Sequence, residues 1–283
     1  MNYRHAFHAG NHADVLKHIV MTRVIEHLKL KEAPFRVFDA HAGTGVYELD
    51  GVEALKTGEW QGGIGKMLDA FAPEVEALLA PYRSVIAALN PGGGLRRCPG
   101  SPEVISRLIR RQDKFTLNEL HPADYDTMKE RYYNDMRASI TGIDATVLMK
   151  ANLPPIERRG LVLIDPSYEV KNERELVLDA LQFGHRRFGP GTFIIWYPVK
   201  GADYAEQFCA AFKELDIGPL MKIELRVREA FDGGGLAGSG LLVLNPPWTL
   251  EAEMKVLGPA LAARLGIGEW GRMDVEWLVL AKG

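Results

Sequence analysis

FRVFDAHAGTG, residues 35–45, is a short apolar run that ends on an acid and then turns through two glycines. Apolar side chains at both alternations suit a strand covered on both faces, and Gly43 and Gly45 suit a tight turn whose backbone approaches a ligand ahead of a helix N-terminus. Six further runs follow: KFTLNELHP (114–122), SITGIDA (139–145), GLVLIDPSY (160–168), GTFIIWYPV (191–199), KIELRV (222–227) and GLLVLNPPW (240–248). Most are separated by helix-length segments such as 123–133 and 173–187. This repetition predicts an α/β fold, a mostly parallel sheet with helices on both faces. Ligands of such sheets sit beyond the carboxyl ends of the strands, where the unusual residues of this sequence fall.

The interval between Gly45 and Lys114 breaks the rhythm, being far longer than one crossover helix needs. It reads as helical pieces, GGIGKMLDAF, PEVEALLAPYRSVIAALN and SPEVISRLIRRQ, divided by PGGG at 91–94. We read one domain over 1–283 with a helical subdomain inserted at 50–112. With 283 residues, 47% hydrophobic and 25% charged, the chain can bury a large core. No run of 18 apolar residues occurs, and MNYRHAFHAGNHADVLKH lacks the apolar centre of a signal peptide, so the expected compartment is the cytoplasm, without membrane attachment. Cys98 and Cys209 form no C-x-x-C pair and read as packing residues.

The formal charge of −3 excludes a polybasic nucleic-acid coat. Locally, Arg83, Arg96, Arg97, Arg107, Arg110, Arg111 and Lys114 face only Glu103 and Asp113 between positions 83 and 114. That run is either a phosphate-facing patch or a solvated helix surface.

Acids recur at strand ends: Asp39, then Glu119 in TLNELHP, Asp144 in TGIDAT and Asp165 in LVLIDPSY. An acid after the second strand is placed to accept from ribose hydroxyls, and one after the third from an adenine amino group. Each alone reads as a helix cap or surface residue; in series at successive strand tips they point to one site. Glu48 stands where the dinucleotide fingerprint needs glycine or alanine, and no G-K-S/T follows, which disfavours NAD and P-loop nucleotides.

The cluster Asp165-Pro166-Ser167-Tyr168 fits methylation of an exocyclic base amine. That nitrogen is a poor nucleophile until acceptors take its N–H bonds and let it pyramidalise. Asp165 offers a carboxylate, Pro166 a carbonyl and Tyr168 a stacking face. The cluster resembles the [DNS]-P-P-[YFW] motif of S-adenosylmethionine-dependent amino-methyltransferases, with Ser167 in place of the second proline. NPPW, Asn245 to Trp248, matches the motif letter for letter but follows a later strand, so chain order assigns the chemistry to Asp165; its bland reading is a rigid strand exit with a buried tryptophan.

His5, His8 and His12 would share a face if they lay on one helix, which raises zinc as a reading, although no cysteine or ordered partner set supports it. YRHAFHAGNHADVLKH, with DAHAGTG, PGSP, ELHP, RRGLVLIDPSY, WYPV and NPPW, resembles the bacterial 23S ribosomal RNA adenine-N6-methyltransferase family over nearly the full length. The resemblance implies a Rossmann-like class I methyltransferase with a helical insertion and an N-terminal motif, 1–20, that contributes to the active site. It implies S-adenosylmethionine as cofactor, held by His18, His41, Ser101, Glu119, Asp144, the Ala145 backbone and Asp165. It assigns Tyr3 to the target adenosine and Asp165, Pro166 and Tyr168 to catalysis. The implied partner is 23S ribosomal RNA, methylated at N6 of adenine 2030 by a monomer that needs no metal. Competing readings are the same chemistry on DNA adenine, a nicotinamide oxidoreductase, and a non-catalytic RNA-binding protein.

Overall fold

The seven apolar runs all form strands, and the structure adds three more, two of three residues and one of eight. The computed structural model describes residues 4–169, 172–201, 203–231 and 235–281. The strands are β1 Arg36–Asp39, β2 Val46–Glu48, β3 Arg97–Pro99, β4 Lys114–Asn118, β5 Ala138–Thr141, β6 Gly160–Ile164, β7 Thr192–Val199, β8 Leu220–Arg226, β9 Gly238–Leu244 and β10 Arg272–Val279. Eight make one sheet in the order β10-β8-β9-β7-β6-β1-β4-β5, while β2 and β3 form a separate antiparallel ribbon. The segment from β5 to β7 is parallel throughout. β9 runs antiparallel to β7 and β8, and β10 antiparallel to β8. The fold is therefore α/β with a mostly parallel sheet.

Two cores cover the two faces, and strand alternation sorts the residues between them. Val37, Leu161, Leu163 and Ile194 join one core with the helices His12–Lys29, Pro73–Leu89, Ser101–Leu108 and Leu250–Leu265. Phe38, Val162, Ile164, Phe193 and Ile195 join the other with Glu173–Arg187 and Tyr204–Lys213. β6 is buried at all five positions, which explains the unbroken apolar run of GLVLI.

Between β2 and β3 the chain forms the helices Val52–Thr57, Glu59–Gly62 and Pro73–Leu89. The ribbon pairs Val46 with Pro99 and Glu48 with Arg97, so this excursion leaves and rejoins the core at one place. Ser101–Leu108 packs back onto β1 and β4 as a crossover helix. Among the described residues no helix is long and apolar enough to cross a membrane, and no group of three or more His, Cys, Asp or Glu side chains is placed to hold a metal ion.

The histidines of the N-terminal segment do not share a helix. His5 lies in a 3-10 turn, His5–Phe7; the chain reverses at Gly10 (φ +78°), and His12 begins the long helix that Asn11 caps through the amides of Ala13 and Asp14. Their partners diverge accordingly: His5 meets Asp14, His8 meets Glu59, and half-buried His12 is pushed down to about 4 by desolvation.

Candidate active site

Parallel strands put their carboxyl ends on one side, so β6, β1, β4 and β5 deliver Asp165, Asp39, Glu119 and Asp144 to one edge of the sheet. The turn after β1 is held from that edge. Glu119 accepts from the Gly43 amide at 2.8 Å with one oxygen and from the His121 amide at 2.7 Å with the other. Gly43 and Gly45 adopt φ of +60° and +88°, and a Cβ at either would collide with the hydroxyl of Tyr47 or Tyr132. Asn118 joins the same edge by donating to the Ala40 and Ile143 carbonyls.

Asp39 is fully buried, and that burial raises its carboxyl to about 6 against hydrogen bonds from Ser101 and the His41 amide. One Asp39 oxygen has no partner among the described residues. His41 Nδ1 accepts the Asp165 amide at 3.2 Å, which requires an unprotonated nitrogen there, and burial holds the ring down to about 4. His18 is buried, with neither ring nitrogen hydrogen-bonded among the described residues, and desolvation lowers it to about 3. Its ring lies 5.9 Å from that of Tyr82 in the insertion.

Asp144 caps the helix Ala145–Asn152 through the amides of Thr146 and Val147, and the Thr146 hydroxyl bond is the main cause of its lowered pKa. The cap occupies one carboxylate oxygen. The Ala145 amide, first in that helix, lies outside its internal hydrogen-bond ladder. Tyr168 adopts φ +54°, donates to the Trp196 carbonyl at 2.7 Å, packs its ring against Trp196 and Phe208 and is half-buried. Pro166 is buried beside it. Tyr3 lies outside the described residues.

The sequence reading passed over Lys17 and Asp14. The Lys17 ammonium, 5% exposed, contacts Asp14 at 2.8 Å and the Asp165 carboxylate. Asp14 also accepts from the Gly10 amide at 2.8 Å and lies 2.9 Å from His5 Nε2. Burial opposes the Lys17 charge, but Asp14 and Asp165 overcome it and raise the group well above its usual value. Burial likewise opposes the Asp14 charge, and His5 and Lys17 hold it well below the usual carboxylate range. The readable signal was an acid and a base at i,i+3 inside an otherwise apolar helix face.

The second Asp-Pro-like motif has a structural part. β9 is antiparallel, so its exit at Asn245 lies beside Thr192, at the opposite end of the sheet from Asp165. Asn245 (φ +51°) donates to the carbonyls of Gly189 and Gly191 at 2.7 and 2.9 Å. Trp248 is 81% exposed and edge-on to His27, not buried as the sequence suggested. Asn245→Ala is expected to leave turnover unchanged and to cost about 2 kcal/mol of stability, from two lost hydrogen bonds and a left-handed alanine. Parallel denaturant titrations and rate measurements check this.

The basic run does not form one patch. Arg83 pairs with Glu76 and caps Leu68 and Asp69, Arg107 pairs with Glu103, and Lys114 donates to Met136. Arg110 binds Asp113 and the carbonyls of Lys29, Lys31 and Ala33 at the amino ends of the strands. Arg111 has no ion pair among the described residues. Only Arg96 and Arg97 stand together in solvent, on the ribbon, in exposed pairs with Asp50 and Glu48 worth at most about 1 kcal/mol each.

A family model described as Ribosomal RNA large subunit methyltransferase D, RlmJ, matches residues 32–279. Proteins named Ribosomal RNA large subunit methyltransferase J from Haemophilus influenzae and Escherichia coli are 44% and 40% identical, over 98% and 99% of this chain and 99% of each relative. A solved Legionella pneumophila protein aligns with TM-score 0.83 and 31% identity, over 95% of this chain and 97% of that one. The acids at the strand tips, the glycine turn and the Asp-Pro-Ser-Tyr exit thus belong to a chain of the RlmJ family of large-subunit ribosomal RNA methyltransferases.

Proposed function

We propose that this chain methylates the N6 amino group of one adenine in 23S ribosomal RNA, adenine 2030 by the family resemblance, acting as a monomer in the cytoplasm. The observation that carries the reading is Asp165, a carboxylate at the exit of the central strand, fixed from behind by the His41 ring and from the side by Lys17. Membership of an RNA-modifying family favours RNA over DNA as the acceptor.

The residues fit S-adenosylmethionine, which when bound supplies the methyl group as an electrophile. Glu119 presents a carboxylate at the second strand tip and holds the Gly43 amide of the glycine turn, and one Asp39 oxygen and both His18 ring nitrogens have no hydrogen-bond partner among the described residues. Asp144 and the Ala145 amide complete the edge at the third strand tip. On the acceptor side, Asp165 and the Pro166 carbonyl take the two amino protons of the adenine, and the Tyr168 ring supports its face. The family resemblance assigns Tyr3, outside the described residues, to the target adenosine. No strong base is required, because the nitrogen sheds its proton after the new bond has made it acidic.

Methyl transfer from labelled donor to 23S ribosomal RNA fragments and to DNA of matching sequence tests the reading. Incorporation as N6-methyladenosine in the RNA is expected, and incorporation only into DNA overturns it. Glu119→Ala is expected to weaken donor affinity about tenfold or more with a smaller change in kcat, since ribose contacts are alike in ground and transition states and Glu119 also holds the Gly43 turn. Calorimetric donor titration reads this directly; unchanged affinity removes Glu119 from the cofactor site.

A further inference from the structure

We infer that Asp14 is a positioning residue for methyl transfer, fixing Lys17 against Asp165 and offsetting the Lys17 charge so that Asp165 keeps the negative charge that receives the adenine amino group. The inference rests on the methyltransferase reading above and adds a residue that never touches substrate.

Asp14 and Lys17 lie one turn apart on the same face of His12–Lys29, and the Lys17 ammonium bridges the two carboxylates. All three groups are withdrawn from solvent, with side-chain exposures of 2% for Asp14, 6% for Lys17 and 14% for Asp165. An ammonium facing Asp165 alone would neutralise it, and a neutralised carboxylate is a weak acceptor for a nitrogen that must gain electron density. With Asp14 present the cation is shared between two carboxylates, so it neutralises Asp165 less completely and Asp165 retains acceptor strength. The second Asp14 oxygen is held by the Gly10 amide and by His5, so the carboxylate cannot swing toward Asp165 itself.

A purely structural role competes with this. Asp14 is the third residue after the Asn11 cap, and by accepting from Gly10 it also secures the turn that leads into the helix. The two roles differ in what they do to titration. If Asp14 acts only as a cap, its removal lowers thermal stability and leaves the pH dependence of the reaction alone. If it sets the charge on Lys17, its removal leaves a buried ammonium with one counter-charge, and that ammonium loses its proton, and with it the contact that orients Asp165, at a lower pH.

The test compares wild type, Asp14→Asn, Lys17→Gln and the double variant in single-turnover methylation of a 23S ribosomal RNA fragment across pH. Asparagine keeps an acceptor for the Gly10 amide while removing the charge. Expected are a fall in kcat on the order of 10²-fold for Asp14→Asn, an alkaline limb displaced to lower pH, donor affinity within about twofold of wild type, and a double variant no slower than Lys17→Gln alone. A wild-type rate, or a loss with an unmoved pH profile that multiplies with that of Lys17→Gln, overturns the inference. Should Asp14→Asn fail to fold, Asp14→Glu takes its place: a reduced kcat with the alkaline limb unmoved is expected, and a displaced limb overturns the inference. A wild-type protein inert on RNA would sink the functional reading instead, so the two failures are distinguishable.

Discussion

Asp165→Ala is expected to lower methyl transfer by about 10²–10³-fold, a far larger effect than its effect on donor affinity. The carboxylate contributes most as the adenine nitrogen pyramidalises and its N–H bonds polarise, so its loss falls on kcat. Two preorganised contacts make Asp165 the acceptor of choice: the His41 ring fixes its backbone amide, and the Lys17 ammonium fixes its side chain. Asp165→Asn should recover little, because the amide oxygen accepts weakly and its NH2 end would face an ammonium. Single-turnover rates with saturating donor check both variants, with Asn245→Ala as the comparison. A deficit in Asn245→Ala and none in Asp165→Ala would move the chemistry to the other end of the sheet.

Lys17→Met should be almost as damaging, with a loss on the order of 10² in rate at neutral pH. Methionine matches the stem of lysine but leaves Asp14 and Asp165 facing each other across a buried gap, where one of the two takes up a proton. Raising the pH drives that proton off again, so the variant should recover part of its rate as pH rises. Stability moves too. In the wild type, depressed Asp14 stabilises the fold above its unfolded value, near 3.8, and that contribution is lost as pH falls through the lower folded value. Raised Lys17 stabilises the fold below its unfolded value, near 10.5, and that contribution is lost as pH climbs through the higher folded one. Between these limits the pair supports the fold, and Lys17→Met should unfold at lower denaturant concentration throughout that window. Equal midpoints for variant and wild type would show that the cluster contributes nothing to folding.

The fold was legible because β6, β7 and β9 are buried on both faces and therefore spell unbroken apolar runs. β10 escaped because it is an edge strand whose Arg272, Asp274 and Glu276 alternate with half-buried residues, a pattern that resembles a surface segment. The ribbon strands, at three residues each, are too short to show any period. The strand-tip acids were readable because parallel strands stack their exits on one side. Lys17 was harder, since a lysine in a helix is ordinarily solvated and only its i,i+3 spacing from Asp14 amid the apolar residues of DVLKHIV marks it as enclosed. The basic run misled for the reverse reason: charge counted along the chain ignores that Arg96 rides on the ribbon while Arg110 caps carbonyls at the far end of the sheet.

The ribbon of β2 and β3 gives the insertion a stem. Gly100 donates to Gly45 and Leu49 to Arg96, so everything between residues 50 and 95 begins and ends at a single hydrogen-bonded point beside the glycine turn. A segment attached in this way behaves as a graft. Its length sets only a slowly varying closure entropy, and its sequence is constrained by Ala54, Ile64, Met67, Val75, Leu79, Tyr82, Val85 and Ile86, which pack into the core. Substitutions at its solvent-facing positions, Val52, Leu55 and Leu68 among them, are therefore expected to leave the strand-tip site in place.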